Sequence, residues 1–310
     1  MHNETIRQPL PFPALDRPRA DPMVVPFDGD YLLFGTAEDE EQKHLHIRRA
    51  HTLAGLHDAE DVTLLGDDLL AWAPELHRIG GRWWLNWARG ASWKEVRCTA
   101  MPLREGGDPT SRDGWDWEAM REVTRADGSP LEPDGISLDM TWFVAKGQWY
   151  AMWSNRVIRP EVLPATLHIA TVDPADPTRL TSAPVEISAP EYDWEQAGAM
   201  VDEGPFALHH DGKVVVVFAA AAVSVHYATG ALIADEGSDL LDPSSWRKHP
   251  KPLLDSSSVP GQFGPGHCAF FTDYDGTEYV TLHAQRAGEI KRNTIIRPMH
   301  WGDDGLPVLA

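Results

Sequence analysis

One pattern recurs along this chain and leaves few architectures open: an apolar strand, a short polar turn containing glycine, then a second strand rich in aromatic or β-branched residues. It occurs five times, as MVVPFDGDYLLFG, PELHRIGGRWWLNWA, TWFVAKGQWYAMWS, PFALHHDGKVVVVFA and AFFTDYDGTEYVTLHA. The turn glycines Gly29, Gly81, Gly147, Gly212 and Gly276 supply the positive φ of tight hairpins and stand 52, 66, 65 and 64 residues apart. After the first interval the period is nearly constant and suits one four-stranded sheet. Further short strands follow the hairpins in HLHIRRA, EVRCTAM, TLHIATV, TGALIAD and NTIIRPMHW. Sustained helical periodicity framed by caps is scarce, which argues against a helix-covered parallel sheet. Five small antiparallel sheets are best closed into a ring, where only short, protected edges remain. A sandwich would not need such even spacing. The expectation is an all-β, five-bladed β-propeller forming a single domain over residues 1–310. The polar stretch 104–135, REGGDPTSRDGWDWEAMREVTRADGSPLEPDG, reads as a loop inserted between the second and third blades that shapes the rim of a pocket.

Charge narrows the partners. Twenty-seven Lys and Arg against 47 Asp and Glu leave a formal charge of −20. That balance repels phosphate backbones and anionic lipid surfaces, so neither nucleic acid nor membrane is an expected partner. With 42% hydrophobic and 24% charged residues and no apolar run of bilayer length, the chain reads as soluble and globular. MHNETIRQPLPFPALDRPRADP has no apolar stretch behind a basic one, so these residues by themselves read as cytoplasmic. A signal ahead of them would make the protein secreted. Cys98 and Cys268 are too few for a disulfide framework and read as core thiols. Thirteen tryptophans exceed what packing usually requires, and flat aromatic faces suit the C–H faces of sugars.

In a propeller the first strand of each blade borders the central channel, so polar residues at strand starts converge. Here they are mostly carboxylates: Asp21 in RADPMVV, Asp139 in SLDMTWF and Glu203 in VDEGPFAL, with Glu75 in WAPELH and His267 in GPGHCAFF at matching points. A lone strand-initial acid is a turn cap. Several in phase must crowd near the axis, where burial and like charge raise some pKa values. Glycoside hydrolysis needs one protonated carboxyl for the leaving oxygen and one ionised carboxylate to activate water, and a third acid can tune the donor.

Taken together, ADPMVV, WAPELH, SLDMTWF, DEGPF, GPGHCAFF and the closing RNTIIRPMHWGDDGLPV resemble family 43 glycoside hydrolases across nearly the whole chain. HTLAGLHDAEDV, PEYDWE and SDLLDPSSW are similar to the family's exo-acting α-1,5-L-arabinofuranosidases. The resemblance implies an inverting mechanism with Asp21 as general base, Asp139 as the pKa-tuning acid and Glu203 as general acid. It implies that Arg292, preceded here by Lys291 in place of the usual glycine, pairs with active-site carboxylates and contributes to substrate binding. Trp72, Glu75 and Trp194 become candidate sugar contacts, and Trp142 lies beside a motif as well. The chemistry requires no cofactor; His267 is the candidate ligand of a structural calcium in the channel, with Cys268 where the family usually has Asn or Ser. The implied partner is an oligosaccharide or polysaccharide, from which terminal α-L-arabinofuranose is released. A β-xylosidase on the same fold is the neighbouring reading. A non-catalytic sugar-binding propeller would be marked by loss of one acid, and all three are present.

Overall fold

The computed structural model describes residues 9–310. Its strands fall into five successive sheets. The first blade holds β1 (Arg19–Phe27), β2 (Asp30–Ala37), β3 (His44–Ala50) and β4 (Val62–Gly66); the second β5 (Leu70–Ile79), β6 (Arg82–Gly90), β7 (Arg97–Pro102) and β8 (Arg121–Glu122). The third holds β9 (Gly135–Ala145), β10 (Gln148–Val157), β11 (Thr166–Asp173), β12 (Asp176–Leu180) and β13 (Val185–Ser188). The fourth holds β14 (Asp202–His210), β15 (Lys213–Ala220), β16 (Ala228–Asp235) and β17 (Arg247–Lys248), and the fifth β18 (Phe263–Thr272), β19 (Glu278–Gln285) and β20 (Arg292–Pro298). A short hairpin, β21 (His300–Trp301) with β22 (Pro307–Val308), follows. Within each blade the strands pair antiparallel in chain order, apart from β13, which joins β11. The first strands touch around a closed circle, β1 with β5, β5 with β9, β9 with β14, β14 with β18 and β18 with β1. This is the five-bladed propeller that the repeat implied.

The repeat glycines do the work assigned to them. In four blades both residues of a two-residue turn have positive φ: Asp28 and Gly29, Gly80 and Gly81, Lys146 and Gly147, Asp211 and Gly212. That is the hairpin turn whose twist matches its strands. The fifth turn is longer, with Gly276 at φ 88°. Each seam between blades has its own core. Phe34, Leu45, Leu76 and Trp87 join the first two blades; Trp84, Met140, Trp142 and Trp153 the second and third; Met152, Ile169, Val216 and Phe218 the third and fourth. Leu254, Phe270, Val280 and Leu282 fill the fourth seam, and Val24, Leu33, Phe271 and Ile296 close the ring.

Two segments depart from a plain count of hairpins. The fifth blade has three strands of its own, and residues near the N-terminus supply its outer edge: Leu10 N–H donates to Ile296 O at 3.2 Å and Ala14 N–H to Thr294 O at 2.9 Å. The stretch 104–135 is built into the framework. It provides β8, buries Trp115 completely against the seam of the first two blades, and reaches the third blade where Thr124 N–H donates to Thr178 O at 2.9 Å. Only its last residues approach the end where the first strands begin, Glu132 accepting from Asn155 Nδ2 at 2.7 Å. The reason is its apolar content: Trp115, Val123 and Leu131 are each at most 2% exposed, so the segment packs on the blades.

Candidate active site

All five first strands run the same way, and each carries a β-bulge near its start. Pairing slips between Ala20 and Met23, Trp72 and Glu75, Leu138 and Thr141, and Glu203 and Phe206; in β18 it slips twice, between Phe263 and Gly266 and between Gly266 and Ala269. In each first strand a bulge residue adopts left-handed backbone: Asp21 (φ 49°), Ala73 (44°), Asp139 (54°), Gly204 (55°) and His267 (55°), with Gly264 (57°) at the other slip of β18. A bulge re-aims a side chain and left-handed backbone costs energy in a non-glycine residue, so Asp21, Ala73, Asp139 and His267 at one level mark a constructed site. The matching position of the second blade is thus Ala73, with Glu75 two residues on, and that of the fourth is Gly204, with Glu203 one residue before it.

The structure brings Asp21, Asp139, Glu203, His267 and Arg292 together. Asp21 is 7% exposed, with three partners on Oδ1 and a single one on Oδ2 among the described residues. Oδ2 accepts from Thr36 Oγ1 at 2.6 Å; Oδ1 faces Arg292 Nη1 at 3.1 Å, His283 Nδ1 at 3.2 Å and His267 Nδ1 at 3.3 Å. Burial opposes its charge, but Arg292, His267 and His283 outweigh burial and hold this carboxyl well below the usual range. Arg292 also binds Glu38, Nη2 to Oε1 at 2.6 Å. It is therefore the charge partner of Asp21 and Glu38, with its guanidinium committed to carboxylates.

The other two acids sit in the opposite environment. Burial, together with Glu203 and Asp21 and against the pull of His267, pushes Asp139 up to about 8. Its Oδ2 accepts the Gly204 N–H at 3.1 Å, which ties it to the bulge that presents Glu203. Burial also raises Glu203 above its ordinary value, although Tyr227 donates to Oε1 at 2.7 Å. A side chain at Gly204 would be strained at φ 55° and tight, its Cβ 3.0 Å from His267 Nδ1. The four acidic groups Asp21, Asp139, Glu203 and Glu75 outweigh burial at His267 and raise its pKa, whereas burial lowers His283 to about 4.

The remaining candidates lie in varied places. Glu75 is buried and meets His77 Nε2 at 2.6 Å, further along the strand toward the hairpin turns. Trp72 packs beside Leu138 and Ile136 at the start of β5, its indole N–H without a protein partner among the described residues. Trp142 is 4% exposed in the seam of the second and third blades, edge-on to His77. Trp194 packs on Phe218 and Gly230 in the fourth blade, donates to Pro250 O at 3.2 Å, and lines a surface pocket with His226 and Ala228. For His267, no three His, Cys, Asp or Glu side chains among the described residues are grouped to hold a metal ion. Calcium takes about six to eight oxygen ligands, and Asp21 is the one carboxylate in direct contact with His267 among the described residues, its Oδ1 paired with Arg292, so the side chains here do not fit a calcium cage.

Sequence reasoning missed Thr36, Glu38, Tyr227 and His283. His283 had a signal, an ionisable residue inside the apolar strand EYVTLHAQ. Thr36, Glu38 and Tyr227 lie on second strands or the loops after them, outside the strand-start phase that revealed the acids.

Residues 11–307 match the family described as glycosyl hydrolases family 43. The chain is 34% identical over 292 residues to the extracellular exo-α-(1→5)-L-arabinofuranosidase of Streptomyces chartreusis, covering 91% of this chain and 85% of that one. It is 30% identical over 305 residues to α-L-arabinofuranosidase 43 of Humicola insolens, spanning 93% of this chain and 61% of that longer relative. The crystal structure of an α-L-arabinofuranosidase from Lactobacillus brevis superposes with a TM-score of 0.81 at 31% identity, covering 94% of each chain. Enzymes of this family need no cofactor for catalysis, and no helix among the described residues is long and apolar enough to cross a membrane. With its five blades, its ring of bulges and three carboxyl groups at their centre, this chain belongs to the family 43 glycoside hydrolases.

Proposed function

We propose that the protein releases terminal α-L-arabinofuranose from arabinan or arabino-oligosaccharides with inversion, using Asp21 as general base and Glu203 as general acid. One observation carries the assignment of roles: two buried carboxyl groups on non-adjacent blades have opposite charge preferences. Arg292 and His267 favour the ionised form of Asp21, while burial raises Glu203 above its ordinary value and so favours its protonated form. Asp21 takes a proton from the attacking water, and Glu203 gives one to the departing glycosidic oxygen as oxocarbenium character develops. Ionisation of either Asp139 or Glu203 opposes that of the other, and Asp139 accepts the Gly204 N–H, so it tunes and positions the donor. Trp72, beside the mouth, is the better placed of the proposed aromatic contacts; Glu75 is a polar contact deeper in the channel. The names of the Streptomyces relatives favour an exported enzyme that meets its polysaccharide outside the cell.

The test is hydrolysis of para-nitrophenyl α-L-arabinofuranoside and β-D-xylopyranoside, with the product anomer followed by NMR. The arabinoside alone should be cleaved, with β-L-arabinofuranose appearing first. Glu203→Gln should lose about 10²–10⁴-fold in kcat on an arabino-oligosaccharide. Cleavage of the xyloside alone would move the substrate to the neighbouring reading, and cleavage of neither would favour a binding propeller.

A further inference from the structure

The acid and the base are joined by a bridge of two rings. Tyr227, immediately before β16, is 1% exposed; its hydroxyl donates to Glu203 Oε1 at 2.7 Å. Its ring stacks on His283, with centroids 5.4 Å apart and planes 11° from parallel, and His283 Nδ1 contacts Asp21. The seat is specific. A Cβ at Gly266 would lie 2.7 Å from Tyr227 Cδ1 and Cε1, so the fifth blade gives up a side chain to admit this ring.

We propose that Tyr227 is a positioning residue for the general acid: by donating to Oε1 it confines the Glu203 proton to Oε2 and stabilises the carboxylate left when that proton is transferred. This rests on the reading of Glu203 as the acid. A phenol has one proton to donate. While Tyr227 spends it on Oε1, that oxygen is an acceptor, and the proton bound for the leaving oxygen resides on Oε2. As transfer proceeds the O–H···O bond becomes charge-assisted and strengthens, so the interaction is larger in the transition state than before it. The hydroxyl cannot itself replace Glu203 as donor, because burial and the surrounding carboxylates raise its own pKa well above that of an ordinary tyrosine.

Tyr227→Phe keeps the ring and removes only the hydroxyl. The titratable and charged groups that face Glu203 from the surrounding strands, Asp21 on β1, Asp139 on β9, Arg156 on β10, His267 on β18 and Arg292 on β20, are unchanged. Without the donor the Glu203 carboxylate is less stable, so the alkaline limb of the kcat/KM profile should move up by about one pH unit. At the optimum, kcat should fall about tenfold or more on an arabino-oligosaccharide, and less on the para-nitrophenyl arabinoside, whose leaving group needs little protonation. In a Glu203→Gln background the second substitution should add nothing to the loss. Equal losses on both substrates with an unmoved limb would overturn the inference and leave Tyr227 a packing residue. If Glu203→Gln itself lost no more on the oligosaccharide than on the aryl substrate, the assignment of the acid would fall instead.

Discussion

At the centre of the ring, Asp21, Asp139 and His267 all hold left-handed backbone while being almost fully buried. Each such conformation costs about 1–3 kcal/mol in a non-glycine residue, and burying acids that repel one another adds to that. Stability is thus given up for pKa control, and the trade has a measurable sign. The Asp139 pKa of about 8 lies above its unfolded value of roughly 3.9. Between those values the folded state binds more protons than the unfolded one, so this group's contribution to stability falls as pH rises. Asp139→Asn cannot ionise. Near pH 4 it should melt close to the wild type; toward pH 8 and above it should melt higher, by about 2–4 °C for each kcal/mol relieved, while losing activity. Calorimetry over pH checks this, and a melting difference independent of pH would show that Asp139 takes up no extra proton on folding. The strand-start phase made Asp139 visible in the sequence. Its high pKa was not visible, because it depends on burial and on Glu203, 64 positions away in the chain.

The bulged first strand is the element that builds the site. In register with β2, a regular β1 would aim alternate residues at the neighbouring blades; the slip between Ala20 and Met23 turns Asp21 out of that alternation. The inserted stretch carries more of the framework than its polar composition suggested. Polar composition suggested a rim loop, yet Trp115 lies in the same cluster as Phe34 and Trp87 and donates its indole N–H to Pro109 O at 2.9 Å. Trp115→Ala should therefore destabilise the protein by about 3–5 kcal/mol, read as a fall in the urea midpoint, with KM for the arabinoside unchanged in the folded fraction. A stable variant with altered KM would return the segment to the rim.

For the whole molecule, closure of the ring is what lets five distant strand starts share one charge balance. The first blade meets the fifth through Val24, Leu33, Phe271 and Ile296, and residues 10–14 run along β20 as its outer edge. Leu15, 2% exposed at the end of that edge, packs in the same seam. Leu15→Ala should cost about 2–5 kcal/mol. A chain beginning at residue 16 should melt lower still, because the edge of the fifth blade is then bare; thermal unfolding of the two variants is the measurement. Equal stability of the shortened chain would mean that the first and fifth blades hold the ring alone. The repeat, its turn glycines and the in-phase acids were determined by sequence alone, because turn chemistry and strand alternation are local and survive without knowledge of partners. Tertiary structure alone decided which acid's ionisation is favoured and which is opposed, where Arg292 spends its charge, and that Tyr227 and His283 connect the two. Those outcomes come from burial and from contacts between residues up to 271 positions apart, as in the Arg292–Asp21 pair, and no local pattern encodes them.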